Sequence, residues 1–291
     1  MTRRNDNLDA GVDAPDLTLV PRFGRALPPL PVPLTPLHGR ERERADLLAM
    51  LEREDVRLIV LTGPGGIGKT RLALAVAADA APCYRHGACF VALAATSGPA
   101  LVATAIAGGL GFPEEADRSA LESIVAGLRH RHVLLVIDNF EQVVEAAPVL
   151  PTILSGARGV TILVTSRSRL DVTGEHLYAV GPLPMPHETD LDDVARLEAN
   201  AAVQLFVQAT QAVRPDFVLT RDNAASVAGI CQRLEGWPLA IELAAARSGA
   251  LSLPAMLRRL SPRLSLLAGG PRDAEPRLRT MRDAIDWSYQ L

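Results

Sequence analysis

The stretch Gly63-Pro64-Gly65-Gly66-Ile67-Gly68-Lys69-Thr70 fits the pattern G-x-x-x-x-G-K-[ST]. It follows an apolar run from Val56 to Leu61 and precedes a segment rich in alanine and leucine. This context predicts a strand, a tight loop and a helix in succession. Glycines tolerate positive φ, so the backbone N–H groups of such a loop and the N-terminus of the next helix can converge on phosphate oxygens.

We therefore predict that residues 63–70, with Arg71 after them, bind a nucleotide, ATP or ADP. In this interpretation Lys69 reaches the β- and γ-phosphates, and the hydroxyl of Thr70 ligates Mg²⁺. The alternative is a glycine-rich turn with no ligand. The composition favours the first interpretation, because Lys69 is the only lysine in a chain with 30 basic side chains, and arginine is a poor substitute for a compact point charge.

The composition is typical of a globular protein of about two domains. The chain has 291 residues, of which 48% are hydrophobic and 22% charged, and its formal charge is -3. That balance argues against a protein that mainly coats nucleic acid or an acidic membrane. The N-terminus lacks the apolar core of a signal peptide, and no uninterrupted apolar run reaches the roughly 18 residues of a membrane helix. We expect a cytoplasmic protein with no membrane partner.

Further β-like runs alternate with alanine-rich helical stretches, which indicates an α/β fold with a mostly parallel five-stranded sheet. These runs are Ala88 to Leu93, Val133 to Ile137, Val160 to Thr165 and Leu177 to Val180. Beyond the proline-rich segment near Gly181 only helical periodicity follows, and it predicts one buried stripe with Val203, Phe206, Val207 and Val213. We predict four parts: a flexible proline-rich tail (1–35), a P-loop nucleotide-binding domain (36–185), an all-helical lid (186–270) and the start of a third domain (271–291).

The run HVLLVIDNFEQ ends its apolar part at Asp138. A carboxylate at the end of a buried strand beside a phosphate loop predicts a Walker B aspartate, which organises the magnesium ion. Asn139 cannot accept a proton, whereas Glu141 can, so Glu141 is a candidate for orienting the attacking water. The alternative for Glu141 is a solvated glutamate in the first turn of a helix.

The run TILVTSRSRL places Thr165, Ser166 and Arg167 at the end of another strand. Open α/β sheets bind ligands at the carboxyl ends of their strands. We expect Arg167 to contact the γ-phosphate. The alternative is a surface arginine of the kind that is abundant in this chain.

Two further segments have less specific patterns. HGRERE, from His38 to Glu43, precedes the first strand, and GWPLAIELAAA, from Gly236 to Ala246, opens a helix with Pro238 at its start. Spacing alone makes each of them only a helix start, in which Pro238 is an N-terminal helix proline and Arg40 a solvated surface charge. The final stretch, TMRDAIDWSYQL, reads as a capped amphipathic helix from Thr280.

In this order the segments resemble the NB-ARC class of STAND nucleotide-switch ATPases, over residues 34 to 291. The resemblance implies a sheet in which the sensor strand separates the P-loop strand from the Walker B strand. It also implies that the HGRERE segment, with His38, Gly39 and Arg40, packs on adenine, and that Pro238 approaches the base or ribose. Family members alternate between a closed ADP state and an open ATP state that exposes surfaces for protein partners or self-association.

The resemblance thus implies an ATP/ADP-binding signalling switch with slow Mg²⁺-dependent hydrolysis, in a regulator of transcription or signalling. Many members have two aspartates where this chain has Asp138 and Asn139, which argues against fast hydrolysis. The resemblance also implies that the chain ends at the start of a winged-helix domain, so we expect contact with DNA to need modules absent from it. Two alternatives stay open: an AAA-type motor or loader with continuous turnover, and a fragment of a DNA-binding transcriptional regulator.

Overall fold

The structure, a computed structural model, describes residues 27–112, 117–190 and 193–260. Most of the predicted tail and the whole predicted start of a third domain, 271–291, lie outside the described residues. Residues 27–40, which comprise the end of that tail and the first residues of the predicted nucleotide-binding domain, form no helix or strand before the first helix begins.

A five-stranded sheet forms the centre of the first unit, and every pairing of neighbouring strands in it is parallel. The α/β fold predicted from the sequence is confirmed. The strand order is β2-β3-β4-β1-β5, so β4 separates β1 from β3, as the resemblance implied. The strands are β1 (Leu58–Thr62), β2 (Ala88–Ala92), β3 (Val133–Asp138), β4 (Val160–Ser166) and β5 (Glu175–Ala179).

The central strands β3, β4 and β1 are almost wholly buried because helices cover both faces of the sheet, whereas the edge strand β5 is only partly buried. Alternate residues of β1 show this: Leu58 and Val60 belong to one buried cluster, and Ile59 and Leu61 belong to another. The first cluster lies under α3 (Val102–Gly109), α4 (Ala120–Leu128) and α5 (Val149–Gly156). The second lies under α1 (Glu41–Leu51) and α2 (Lys69–Ala80).

The helical unit that follows, called the lid below, has a core of its own. Its largest fully buried side chain is Phe206, which packs edge-on against Phe217. Asn200 caps the second helix, accepting hydrogen bonds from the backbone N–H groups of Ala202 and Val203. The helices are α6 (Val194–Ala199), α7 (Ala201–Gln211), α8 (Arg221–Arg233), α9 (Pro238–Ala245) and α10 (Leu253–Arg259).

One residue of the predicted lid stripe is placed differently from expectation. Val203 and Phe206 are buried, but Val213 is 45% exposed. The reason is that α7 ends at Gln211, so the helical periodicity that predicted burial no longer applies two residues later.

The strand order also creates the place for a ligand. The connection after β1 runs to β2 at one edge of the sheet, whereas the connection after the neighbouring strand β4 crosses β1 to reach β5 at the other edge. A crevice at the carboxyl ends of the strands is expected at such a switch point. The lid reaches this edge, where the backbone N–H of Leu183 donates to the carbonyl of Gly236 at 2.9 Å. Within the described residues, the search for a helix that could span a membrane finds none.

We expect that only glycine fits at position 236, because its φ is +68° and an added Cβ would lie 2.1 Å from the carbonyl oxygen of Leu183. We predict that Gly236→Ala lowers the free energy of unfolding by roughly 3 kcal/mol. The matched control is Gly174→Ala, where φ is +82° and nothing lies within 4 Å of the added Cβ; strain alone costs about 1 kcal/mol there. Chemical denaturation of both variants measures the difference, and equal losses would contradict the close packing.

Candidate nucleotide-binding site

The phosphate loop, residues 63–70, turns sharply between β1 and α2. Three of its glycines have positive φ: Gly63 at +148°, Gly66 at +76° and Gly68 at +99°. Gly66 also lies against the lid, since an added Cβ would meet side-chain atoms of Leu239 at 2.8 Å. The loop therefore needs glycine for its backbone angles, and at Gly66 it needs glycine for space as well.

Lys69 begins α2 and is nearly buried, with 7% of its surface exposed. Its ammonium group donates to the carbonyl oxygens of Gly63 at 2.7 Å and Pro64 at 3.1 Å. The side chain thus folds back over the loop that the sequence predicted to bind phosphate. The result is a fixed positive charge at the end of β1, beside the N-terminus of a 12-residue helix.

Asp138 is the centre of a hydrogen-bond network at the ends of three elements. Its Oδ1 accepts from the hydroxyl of Thr70 at 2.7 Å and from the hydroxyl of Thr165 at 2.5 Å. Its Oδ2 accepts from the side-chain amide of Asn139 at 3.0 Å, and the backbone N–H of Asn139 donates to Thr165 Oγ1 at 3.0 Å. This network fixes the carboxylate of Asp138 beside the first turn of α2.

The donor set fits a magnesium ion. Thr70 and Asp138 offer a hydroxyl and a carboxylate oxygen within 2.7 Å of each other, and hard oxygen ligands are those that Mg²⁺ prefers. Among the described residues no group of three or more His, Cys, Asp or Glu side chains forms a metal cluster. A site with few protein ligands suits Mg²⁺, which keeps several waters and takes the rest of its ligands from phosphates.

Glu141 and Arg167 form a buried ion pair beside this network. Arg167 Nε lies 3.4 Å from Glu141 Oε1, and the two side chains are 11% and 6% exposed. Glu141 Oε2 is buried and accepts no hydrogen bond from the described residues. The solvated position considered for Glu141 is therefore not the one observed. A buried carboxylate oxygen that accepts no hydrogen bond from the protein indicates a place for a polar partner such as water.

The lid closes the site by binding the phosphate loop directly. The indole N–H of Trp237 donates to the carbonyl of Gly65 at 3.2 Å, and the backbone N–H of Leu239 donates to the carbonyl of Gly66 at 3.2 Å. Pro238, between these two donors, starts α9 and faces the enclosed space. The position of the lid is thereby coupled to the backbone of the loop.

A cavity of about 330 Å³ lies between the two units. Its wall combines apolar side chains from both units with the polar groups described above, which is the usual character of a small-molecule site. Gly39, Gly63 and Pro64 were predicted to contact nucleotide but do not line it. The lining residues are Pro36, Leu37, His38, Arg40, Gly65, Gly66, Ile67, Gly68, Lys69, Thr70, Arg71, Asp138, Asn139, Glu141, Arg167, Leu183, Leu205, Pro238, Leu239 and Glu242.

Arg40 lines this cavity while its guanidinium is engaged by the protein. The side chain is 2% exposed, and it donates to the carbonyls of Ile67 at 3.1 Å and Gly181 at 2.8 Å and to Glu43 at 2.5 Å. It therefore ties the segment before α1 to the phosphate loop and to the segment that leads to the lid. A surface charge, the alternative considered for Arg40, is not what the structure shows.

His38 and Gly39 attach the same segment to the lid. The ring nitrogens of His38 lie 3.2 Å from Gln204 Oε1 and 2.7 Å from Gln208 Oε1, both on α7. Gly39 packs on Ala201, and an added Cβ would lie 2.0 Å from the Cβ of that residue. Residues 38–40 thus connect the two units at the wall of the cavity.

Arg71 lies where the phosphate loop, the chain before α1 and the lid meet. It donates to the carbonyls of Thr35 at 2.8 Å and Pro36 at 2.6 Å, and its Nη1 lies 3.6 Å from the carboxylate of Glu242. Burial raises the pKa of Glu242 above its ordinary value, while the nearby Arg71 opposes that shift.

Sequence reasoning did not assign site roles to Thr165, Trp237, Leu239 and Glu242. Thr165 was noticed at a strand end, but its bond to Asp138 depends on β4 lying next to β3. The signal for Glu242 was available, since it is four residues after Pro238 and so on the same face of α9. The sequence did not show which face of α9 meets the phosphate loop.

Comparison with known proteins gives consistent findings. Residues 52–170 match the AAA domain family. The chain is 39% identical over 236 residues to a Mycobacterium tuberculosis protein that carries the provisional name of an HTH-type transcriptional regulator, covering 81% of this chain and 25% of that protein. It is 33% identical over 239 residues to the regulatory protein AfsR of Streptomyces coelicolor, covering 76% of this chain and 22% of AfsR. The chain thus spans about a quarter of the length of these regulators.

A shorter relative and a solved structure complete the comparison. An uncharacterized protein of Mycobacterium tuberculosis is 36% identical over 259 residues, which cover 89% of this chain and 62% of that protein. Among solved structures, Drosophila ORC bound to DNA aligns with a TM-score of 0.50 and 14% identity, covering 77% of this chain and 65% of that one. That similarity concerns the fold alone and agrees with the parallel α/β sheet. The finer NB-ARC assignment stays a prediction.

The hydroxyl of Thr165 is expected to be essential to the Asp138 network, because the residue is 1% exposed and the hydroxyl both donates to Asp138 and accepts from Asn139. We predict that Thr165→Val lowers the free energy of unfolding by about 2 kcal/mol, since a buried N–H loses its acceptor. Thr152→Val is the control: its exposed hydroxyl bonds only a helix carbonyl, and a change within about 0.5 kcal/mol is expected. Denaturant titration compares the two, and similar values would contradict the network.

Proposed function

We propose that this chain binds ATP and ADP with Mg²⁺ and acts as a nucleotide-dependent switch with slow hydrolysis. The observation that carries the proposal is that the carboxylate of Asp138 accepts a hydrogen bond from Thr70 in the first turn of α2, next to Lys69, whose ammonium group is held by the loop carbonyls. A positive charge, a helix N-terminus and paired hard oxygen ligands in one cavity suit a magnesium-bound polyphosphate. The AAA match over residues 52–170 supports the same chemistry.

The residues of the site would have separate roles in binding and hydrolysis. The backbone of the loop and Lys69 bind the phosphates, and Thr70 with Asp138 holds the metal ion, which neutralises phosphate charge when bound. Arg167 would contact the terminal phosphate, and Glu141 would hold its side chain through the ion pair between them. The second carboxylate oxygen of Glu141 is available to orient a water molecule.

Two features favour slow hydrolysis. Asn139 follows Asp138 directly, and its amide donates to that carboxylate and cannot accept a proton. Glu141, the other candidate base, has one oxygen engaged by Arg167. Orienting water therefore falls to a single oxygen in a restrained side chain.

The lid supplies the element whose position nucleotide would control. Its hydrogen bonds to the loop, from the Trp237 indole to the Gly65 carbonyl and from the Leu239 backbone N–H to the Gly66 carbonyl, would be altered by a change in loop conformation. Nucleotide can shift such an equilibrium only by its difference in affinity for the two states. Shifting the ratio of the two lid positions from 1:99 to 99:1 takes about 5.5 kcal/mol. Contacts to the terminal phosphate would have to supply this difference in binding free energy.

The names of the relatives support a regulatory setting. Two of them are named as regulators, one of transcription, and this chain matches only about a quarter of their length. We propose that it is the nucleotide-binding part of such a regulator, in the cytoplasm, and that its ATP state offers a surface to a protein partner or a second copy. Contact with DNA would come through other modules.

Lys69→Arg tests the binding site. The planar guanidinium cannot reproduce the two carbonyl contacts of the ammonium, so we expect the affinity for ADP to fall about tenfold or more. Isothermal titration with ADP and Mg²⁺ measures it, with the exposed Arg42→Lys on α1 as the reverse control. Identification of the nucleotide that copurifies and a turnover assay complete the test. Turnover well below roughly 10 per second supports a switch, whereas unchanged affinity or fast continuous turnover contradicts the proposal.

Glu141→Gln tests the role of that carboxylate. We expect the single-turnover rate of ATP hydrolysis to fall about 100-fold, because the amide cannot act as a base, with ATP affinity retained. Glu145→Gln, an exposed glutamate four residues later, should leave the rate unchanged. If Glu141→Gln hydrolyses ATP at the normal rate, Glu141 serves only to anchor Arg167.

A further inference from the structure

We propose that Glu242 binds the ribose of the nucleotide, accepting hydrogen bonds from its 2′- and 3′-hydroxyls, and so makes the site selective for ribonucleotides over deoxyribonucleotides. The inference rests on the proposed nucleotide site. Its ligand class is a vicinal diol, which a carboxylate recognises through two oxygens.

The position of Glu242 in the cavity supports this role. Glu242 lines the same cavity as Lys69 and Asp138, on the lid side. Its neighbour across the cavity is Arg71, 3.6 Å away, which follows Thr70 directly in the chain. Arg71 is the first residue beyond the phosphate-binding turn, and Glu242 lies beside it. The sugar is the part of a nucleotide that directly follows the phosphates, so it is the part expected next to Glu242.

The carboxylate of Glu242 also has capacity to accept hydrogen bonds. Its distance from Arg71 is that of an ion pair, longer than a hydrogen bond. Within the described parts of the chain, no hydrogen bond is donated to Glu242 by another side chain or by the backbone of another element. The side chain is 43% exposed, so a ligand entering the cavity can reach it.

Charge decides which part of the nucleotide Glu242 can contact. A carboxylate is repelled by phosphates, and the phosphate end of the cavity carries Lys69 and Arg167 instead. Sugar hydroxyls are neutral donors. The amino group of a purine is also a donor, but the apolar part of the cavity wall, with Leu183 and Leu205, is better suited to the base.

A different role for Glu242 would be to hold the lid closed through Arg71. The two roles predict different measurements. An ion pair that only closes the lid strengthens the binding of every nucleotide equally, whether or not the sugar has its hydroxyls. Under ribose recognition, loss of the carboxylate weakens binding of the ribonucleotide more than binding of either deoxy analogue, because the ribonucleotide donates two hydrogen bonds and each analogue only one.

The experiment measures the dissociation constants of ADP, 2′-deoxy-ADP and 3′-deoxy-ADP with Mg²⁺ by titration calorimetry. The proteins are the full chain, Glu242→Gln, Glu242→Ala and the control Glu54→Gln, an exposed glutamate after α1. We expect the unaltered chain and the control to bind ADP about tenfold or more tightly than either deoxy analogue. In Glu242→Ala the preference should vanish, because ADP loses two hydrogen bonds whereas each deoxy analogue loses only the one made by its remaining hydroxyl, and Glu242→Gln, which keeps one acceptor oxygen, should be intermediate.

Several results would overturn the proposal. No preference in the unaltered chain, or equal weakening of all three ligands in Glu242→Ala, shows that the carboxylate does not bind the sugar. Inosine diphosphate, which lacks the purine amino group, is the further probe: if Glu242→Ala changes the ratio of ADP to inosine diphosphate affinity and leaves the deoxy ratio intact, Glu242 contacts the base. If the unaltered chain binds none of these nucleotides, the proposed nucleotide site fails as well. Thermal unfolding of each variant establishes that it is folded.

Discussion

The carboxylate of Asp138 is the point on which the site depends. It is 4% exposed and accepts hydroxyl hydrogen bonds from Thr70 and Thr165, so it joins β3 to the start of α2 and to the end of β4. A buried carboxylate is costly unless it is hydrogen-bonded. The parallel strand order makes these bonds available, because β4 lies beside both β1 and β3 and brings their carboxyl ends to one edge.

The lid adds a second constraint, which acts on the phosphate loop. Gly66 is packed against Leu239, and the carbonyls of Gly65 and Gly66 accept bonds from the lid. Arg40 braces the other side of the loop through Ile67 and Gly181. Loop and lid are therefore coupled by direct contacts, and this coupling is the physical basis of the proposed nucleotide switch.

The sequence predicted much of the fold and the phosphate end of the site. The phosphate-loop pattern between a strand and a helix, and the acid at the end of an apolar run, are local signals, and local signals do not need the rest of the chain. Burial of Glu141 in an ion pair with Arg167 could not be predicted, since 26 residues separate them and only the neighbouring strands bring them together. Val213 shows the limit of periodicity, which says nothing of where a helix ends.

By itself the sequence determined that a phosphate loop with one lysine stands between a strand and a helix, because backbone angles and charge at adjacent positions are fixed by residue type. Only the tertiary structure decided what surrounds that loop: Thr165 on Asp138, Trp237 on Gly65, and Glu242 opposite Arg71. These contacts join residues far apart in the chain. Their existence depends on strand order and on which face of the lid meets the sheet, and both are set by packing of the whole.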